Sequence, residues 1–134
     1  MSAPRVIYTA GVFDLLHRGH LNILFASKAL GDVLVVGVVS DAGCNAYKGV
    51  FPSQHVQLRV RALERLGFVD AVVIQPTTDP TPMLRRFRPD VMTHGDDWPQ
   101  LREGHETLER LGVEWKLIPY TEGISSTLLR EGGA

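Results

Sequence analysis

At 134 residues, 44% hydrophobic and 22% charged, with a formal net charge of -1, the chain has the make-up of one compact soluble domain. The balance of 14 Lys+Arg against 15 Asp+Glu excludes a sequence-independent nucleic-acid binder, which needs a continuous basic surface. The single cysteine, Cys44, excludes an intramolecular disulfide and a cysteine zinc cluster, so a reducing cytoplasm is the expected setting.

No stretch approaches the roughly 20 apolar residues of a membrane span. The opening Met1-Ser2-Ala3-Pro4-Arg5 leads into Val6-Ile7-Tyr8 without the apolar core of a signal peptide. Repeats, low-complexity tracts and linker-like runs are absent, so a single domain over residues 1–134 is expected.

Five short apolar, β-branched runs predict strands at Arg5 to Thr9, Val33 to Val39, Asp70 to Ile74, Asp90 to Thr93 and Val113 to Ile118. Helical periods lie between them. Leu21, Leu24 and Phe25 fall at i, i+3, i+4, and Val56, Val60 and Leu63 at i, i+4, i+7. The run Val33-Leu34-Val35-Val36-Gly37-Val38-Val39 is continuously apolar, as a strand covered by helices on both faces must be. The alternation predicts an α/β fold: a single doubly wound, Rossmann-like domain with a five-stranded parallel sheet. In such sheets ligands sit beyond the carboxyl ends of the strands, where the strand order reverses.

The segment after the first strand fits that position. Gly11 and Asp14 fall in a turn, and His17 and His20 open a helix. Helix N-termini offer unpaired N–H groups and partial positive charge to a phosphate, and imidazoles three residues apart reach one oxygen cluster. Gly19 between them lacks a β-carbon, which lets an anion approach the backbone. The glycine patterns of the dinucleotide fingerprint and of the P-loop are both missing, and no third ligand completes a zinc site.

Residues 11 to 20, Gly-Val-Phe-Asp-Leu-Leu-His-Arg-Gly-His, resemble the H-x-G-H signature of the nucleotidyltransferase superfamily, most closely the glycerol-3-phosphate cytidylyltransferase type. His94-Gly95-Asp96-Asp97-Trp98 is similar to that family's G-D-D-W. Thr121-Glu122-Gly123-Ile124-Ser125-Ser126-Thr127 is similar to its R-T-E-G-I-S-T-T ending. The three segments occur in family order after strands 1, 4 and 5.

The resemblance implies attack by a phosphate monoester on the α-phosphorus of CTP, brought as its Mg2+ complex, with release of pyrophosphate. A phosphate monoester has a second pKa of ~6 and is already a nucleophilic dianion at neutral pH, so donors rather than a strong base are required. His17, His20 and Lys48 are then the expected catalytic residues. Thr9, Ala10, Gly11, Val12, Phe13 and Asp14 would line the substrate site, and Arg59 matches a family arginine near the acceptor phosphate. Gly95, Asp96, Asp97 and Trp98 would form the base and ribose pocket. Thr121, Glu122, Gly123, Ile124, Ser125, Ser126 and Thr127 would hold the β- and γ-phosphates.

Plainer roles stand beside these. Lys48 fits an ordinary solvated lysine, and Asp14 fits a turn as well as a magnesium ligand. Trp98 fits core cover as well as stacking, Ser125 to Thr127 fit a helix cap, and His94 reads as a hydrogen-bonded structural histidine. No metal ligand is firmly assigned. The resemblance further implies a homodimer, with the segment from Arg59 to Asp70 near the subunit contact.

Two departures bear on the substrate. Tyr120 stands where the cytidylyltransferase ending has an arginine, and Lys48 is alone in a stretch where that family is lysine-rich. Adenylyltransferases of the heptose-phosphate type lack that arginine and carry a similar Lys-Gly. The pocket-forming segments favour CTP, with ATP and a sugar phosphate as the alternative and a nucleotide-binding module without turnover as a third reading.

Overall fold

Each of the first four strands is followed by one or two helices through residues 3–95 and 104–119, which a computed structural model describes. The order is β1 (Val6–Gly11), α1 (Arg18–Lys28), β2 (Val33–Val39), α2 (Asp41–Lys48), α3 (Val56–Glu64), β3 (Ala71–Gln75), α4 (Thr81–Phe87), β4 (Val91–Gly95), α5 (His105–Leu111) and β5 (Glu114–Ile118). The strands form one parallel sheet in the order β3-β2-β1-β4-β5. This is the expected doubly wound, Rossmann-like arrangement. β1 runs two residues past its predicted end because Ala10 and Gly11 pair with Gly37 and Val38 of β2.

The continuous apolar character of β2 feeds two layers. Leu34, Val36 and Val38 pack with Ile7, with Leu24 of α1, and with Val56 and Leu63 of α3. Val35 turns to the other face, where Tyr8 and Met92 meet Leu84 of α4 and Leu108 of α5. Burying each such side chain contributes about 1.5–3 kcal/mol, and a polar residue in β2 would meet apolar neighbours on either face.

α1 departs from its predicted stripe. Leu24 is buried, but the buried face also includes Gly19, Ile23 and Ser27, whereas Phe25 is 56% exposed and stacks on Phe68 with ring centroids 4.1 Å apart. The reason is polar. The Ser27 hydroxyl lies 2.7 Å from the Thr93 hydroxyl of β4 and donates to the Ile23 carbonyl, so a small residue occupies the inward position. α2 has no apolar stripe long enough to announce it. It is marked by Ser40, whose side chain accepts from the Gly43 N–H, and by Gly49, which closes the helix at φ +77°.

Gly37 is a point of close approach between β2 and β1. A β-carbon there would run into the Tyr8 side chain, whose hydroxyl donates to Gln75 Oε1 at 2.6 Å inside the core. Gly37→Ala is expected to destabilise the fold by about 1–3 kcal/mol through overpacking and displacement of that hydrogen bond. A urea midpoint unchanged from the parent would show that the core yields there.

Candidate active site

β1 is central, with β2 on one side and β4 on the other, so the strand order reverses beside it. A cleft of about 630 Å³ opens beyond the carboxyl ends of these three strands. Its floor is the end of β1 with Val39 of β2 and His94 and Gly95 of β4.

The loop leaving β1 is strained and heavily tied. Gly11 leaves room for the Phe13 ring, which would lie 3.1 Å from a β-carbon at that position. Phe13 and Leu15 both adopt left-handed backbone, at φ 52° and 51°, which costs residues with a β-carbon roughly 1–3 kcal/mol each. The carboxylate of Asp14, between them, accepts from the Ser53 N–H at 2.7 Å and the Gln54 N–H at 3.0 Å. The Leu15 N–H donates to Gln54 Oε1 at 3.1 Å. Asp14 therefore orders the turn against the loop that precedes α3. Among the described residues no group of three or more His, Cys, Asp or Glu gathers to hold a metal ion.

This turn delivers the two histidines to the start of α1 as a reciprocal capping box. His17 is the N-cap, and its Nδ1 accepts from the Gly19 N–H at 3.1 Å; His20 Nδ1 accepts from the His17 N–H at 3.1 Å. Both Nδ1 atoms are thus acceptors, which assigns the proton of each neutral ring to Nε2 on its opposite edge. The rings stack with centroids 4.0 Å apart, the Phe13 ring meets His20 edge-on, and both histidines line the cleft.

The electrostatics keep these rings neutral. Burial pushes the His17 pKa down. Burial is also the largest influence on His20, reinforced by the charges of His17 and Lys48 and only partly opposed by Asp14, and its pKa falls to about 4. At neutral pH the site therefore offers two N–H donors whose tautomer is set by the backbone. Lys48, in the last turn of α2, lines the same cleft and brings a full positive charge.

Most of the expected residues in the described segments converge. Thr9, Ala10, Gly11, Val12, Phe13, Asp14, His17, His20, Lys48 and Gly95 all border the cleft. The Thr9 hydroxyl, however, donates to the Thr93 carbonyl at 3.0 Å, so Thr9 helps build the floor. Asp96, Asp97, Trp98, Tyr120 and the segment from Thr121 to Thr127 lie outside the described residues.

Arg59 stands apart from the expectation that it meets the acceptor phosphate. It does not border the cleft, is fully buried, and makes four hydrogen bonds to the protein itself. Tyr47, Phe51 and Thr78, to which no motif points, are also on the cleft wall, and His94 is there in addition to contacting the Gly95 carbonyl. Tyr47 and Phe51 flank the Lys48-Gly49 segment, which was the available signal; Thr78 follows β3 and carried none.

With this geometry in hand, the family assignment rests on the chain as a whole. Residues 8–132 match the family described as cytidylyltransferase-like, and the chain belongs to that family of the nucleotidyltransferase superfamily. It is 39% identical over 125 residues to the bifunctional protein HldE of Desulfatibacillum aliphaticivorans, covering 92% of this chain and 26% of that protein. To the bifunctional protein HldE of Streptomyces coelicolor it is 42% identical over 127 residues, covering 92% and 27%. The chain thus spans about a quarter of the length of these curated relatives. A crystal structure described as the lipopolysaccharide core biosynthesis protein from Thermoplasma volcanium GSS1 superposes with a TM-score of 0.75 at 29% identity, over 89% of this chain and 98% of that one. Among the described residues no helix is long and apolar enough to cross a membrane.

Proposed function

We propose that this chain transfers a nucleoside monophosphate from ATP to a sugar phosphate of the heptose-phosphate kind, releasing pyrophosphate. The observation that carries the transfer chemistry is the pair of neutral, backbone-locked histidines beside Lys48 at the switch point of the sheet. An acceptor phosphate oxygen attacks the α-phosphorus, the bond from that phosphorus to the bridging oxygen breaks, and pyrophosphate leaves with the electron pair. The dianionic acceptor surrenders no proton, so the protein's task is to align two anions and stabilise charge on the phosphoryl oxygens. The Nε2–H groups of His17 and His20 serve that role, and Lys48 offsets the repulsion between the substrates.

ATP ranks above CTP here, reversing the order that the pocket-forming segments favour. The likeness to HldE proteins supports ATP and a heptose phosphate over CTP and glycerol 3-phosphate, in line with Tyr120 and the solitary Lys48-Gly49. Mg2+ would arrive with the triphosphate, held by its phosphate oxygens and water. Self-association into a homodimer belongs to the same proposal, and sedimentation at micromolar concentration tests it.

The decisive assay is pyrophosphate release with ATP and with CTP, each against a panel of sugar, polyol and amino-alcohol phosphates. Release with ATP and a heptose phosphate is expected. Release only with CTP would restore the cytidylyl reading, and release with no pair would leave a nucleotide-binding module.

A further inference from the structure

Arg59 sits in the first half of α3, yet its contacts reach four separate segments. Its Nη1 donates to the carbonyl of Val12, in the loop after β1, and to that of Val39, at the end of β2, both at 2.8 Å. Its Nε donates to the Gln54 carbonyl at 2.9 Å, and its Nη2 to Asp41 Oδ1 at 2.6 Å, at the start of α2. The side chain is wholly buried. A buried cation is costly unless paired, and a planar fork with five N–H donors is the one side chain that can satisfy this set of acceptors at once.

The segments it joins are those that carry the chemistry. Val12 immediately precedes the left-handed turn at Phe13 and Leu15, and that turn leads into His17 and His20. Gln54 belongs to the loop tied to Asp14, and α2, which Asp41 opens, ends at Lys48. Backbone held in a sparsely populated conformation persists only where its surroundings over-determine it. We infer that Arg59 is a positioning residue of the active site: from beneath the cleft it clamps the strained β1 loop to β2 and α2, and so sets the two histidines in register with Lys48.

The inference rests on the transfer reading for its purpose, but its test does not depend on turnover alone. Arg59→Lys and Asp41→Asn are compared with the parent by steady-state kinetics and by 15N imidazole spectra followed through pH. Lysine offers a point charge in place of the fork and cannot bridge the same carbonyls. The expected result for Arg59→Lys is a folded protein whose kcat falls by about 10²-fold, the cost of a misalignment of roughly 1 Å, while KM for the triphosphate changes much less. The His20 ring, which burial holds near a pKa of about 4, should titrate closer to 6.5 as the loop loosens. Asp41→Asn retains one acceptor for Arg59 and should shift both readouts in the same direction by less.

A folded Arg59→Lys with parental kcat and parental histidine titration would reduce Arg59 to core filling and overturn the inference. A loss of kcat without any change in the histidine spectra would overturn it too, since the clamp would not act through that loop. If the parent turns over no substrate pair, the transfer reading fails, and the histidine titration of the two variants still decides the clamp. Should Arg59→Lys not fold, Asp41→Asn provides the same two readouts with the arginine in place.

Discussion

His17→Asn and His20→Asn should each lower kcat by about 10²- to 10³-fold, the usual loss when one preorganised donor to a developing charge is removed. Asparagine is the informative choice because its Oδ1 lies close to where Nδ1 sits. It can keep the bond to the Gly19 N–H or the His17 N–H while deleting Nε2–H. The melting temperature of these variants should stay near that of the parent. Alanine at position 17 is a poorer test, since it also removes the N-cap of α1 at a cost of ~1 kcal/mol. The double variant should lose less than the product of the two single losses, because the stacked rings act on one phosphate cluster. Parental turnover in both asparagine variants would remove the histidines from the reaction.

Acid should destabilise the protein through His20 in particular. Its pKa is 6.5 in the unfolded chain and about 4 in the folded one, so between those pH values the unfolded state binds more protons. Stability is therefore fully present above pH 6.5 and declines as pH falls towards 4, by up to ~3 kcal/mol from this group. Burial also lowers His17, which adds to the effect in the same direction. Urea midpoints measured from pH 7 to pH 4 should fall more steeply for the parent than for His20→Asn; parallel curves would contradict a buried neutral ring. Turnover should lose activity at a different pH. Its acid limb should follow protonation of the acceptor phosphate near pH ~6 and persist in the slow His20→Asn enzyme.

The fold was legible because its signals are local and redundant. Val33 to Val39 is apolar without alternation, short and rich in β-branched residues, which suits a strand covered on both faces. The Gly11, Asp14, His17 and His20 pattern likewise placed the site at the exit of β1, where the cleft opens. What could not be read is set by contacts distant in sequence. Phe25 has the spacing of a buried residue, but the hydroxyl pair of Ser27 and Thr93 brings a neighbouring face inward. Arg59 looks like a substrate arginine until the carbonyls of Val12 and Val39 close around it. The capping box was equally hidden, because histidine is not a residue expected at an N-cap and only the backbone geometry reveals which ring nitrogen carries the proton.

That proton is the most direct point of attack on the account. 15N spectra of the two imidazoles can be recorded at pH 7 as the protein is saturated with the Mg2+ complex of a non-hydrolysable ATP analogue. The account predicts neutral rings protonated at Nε2 before binding and displacement of both Nε2 resonances on binding, with Nδ1 still an acceptor. Rings that are already charged at pH 7, or Nε2 resonances that do not move at full occupancy, would contradict it.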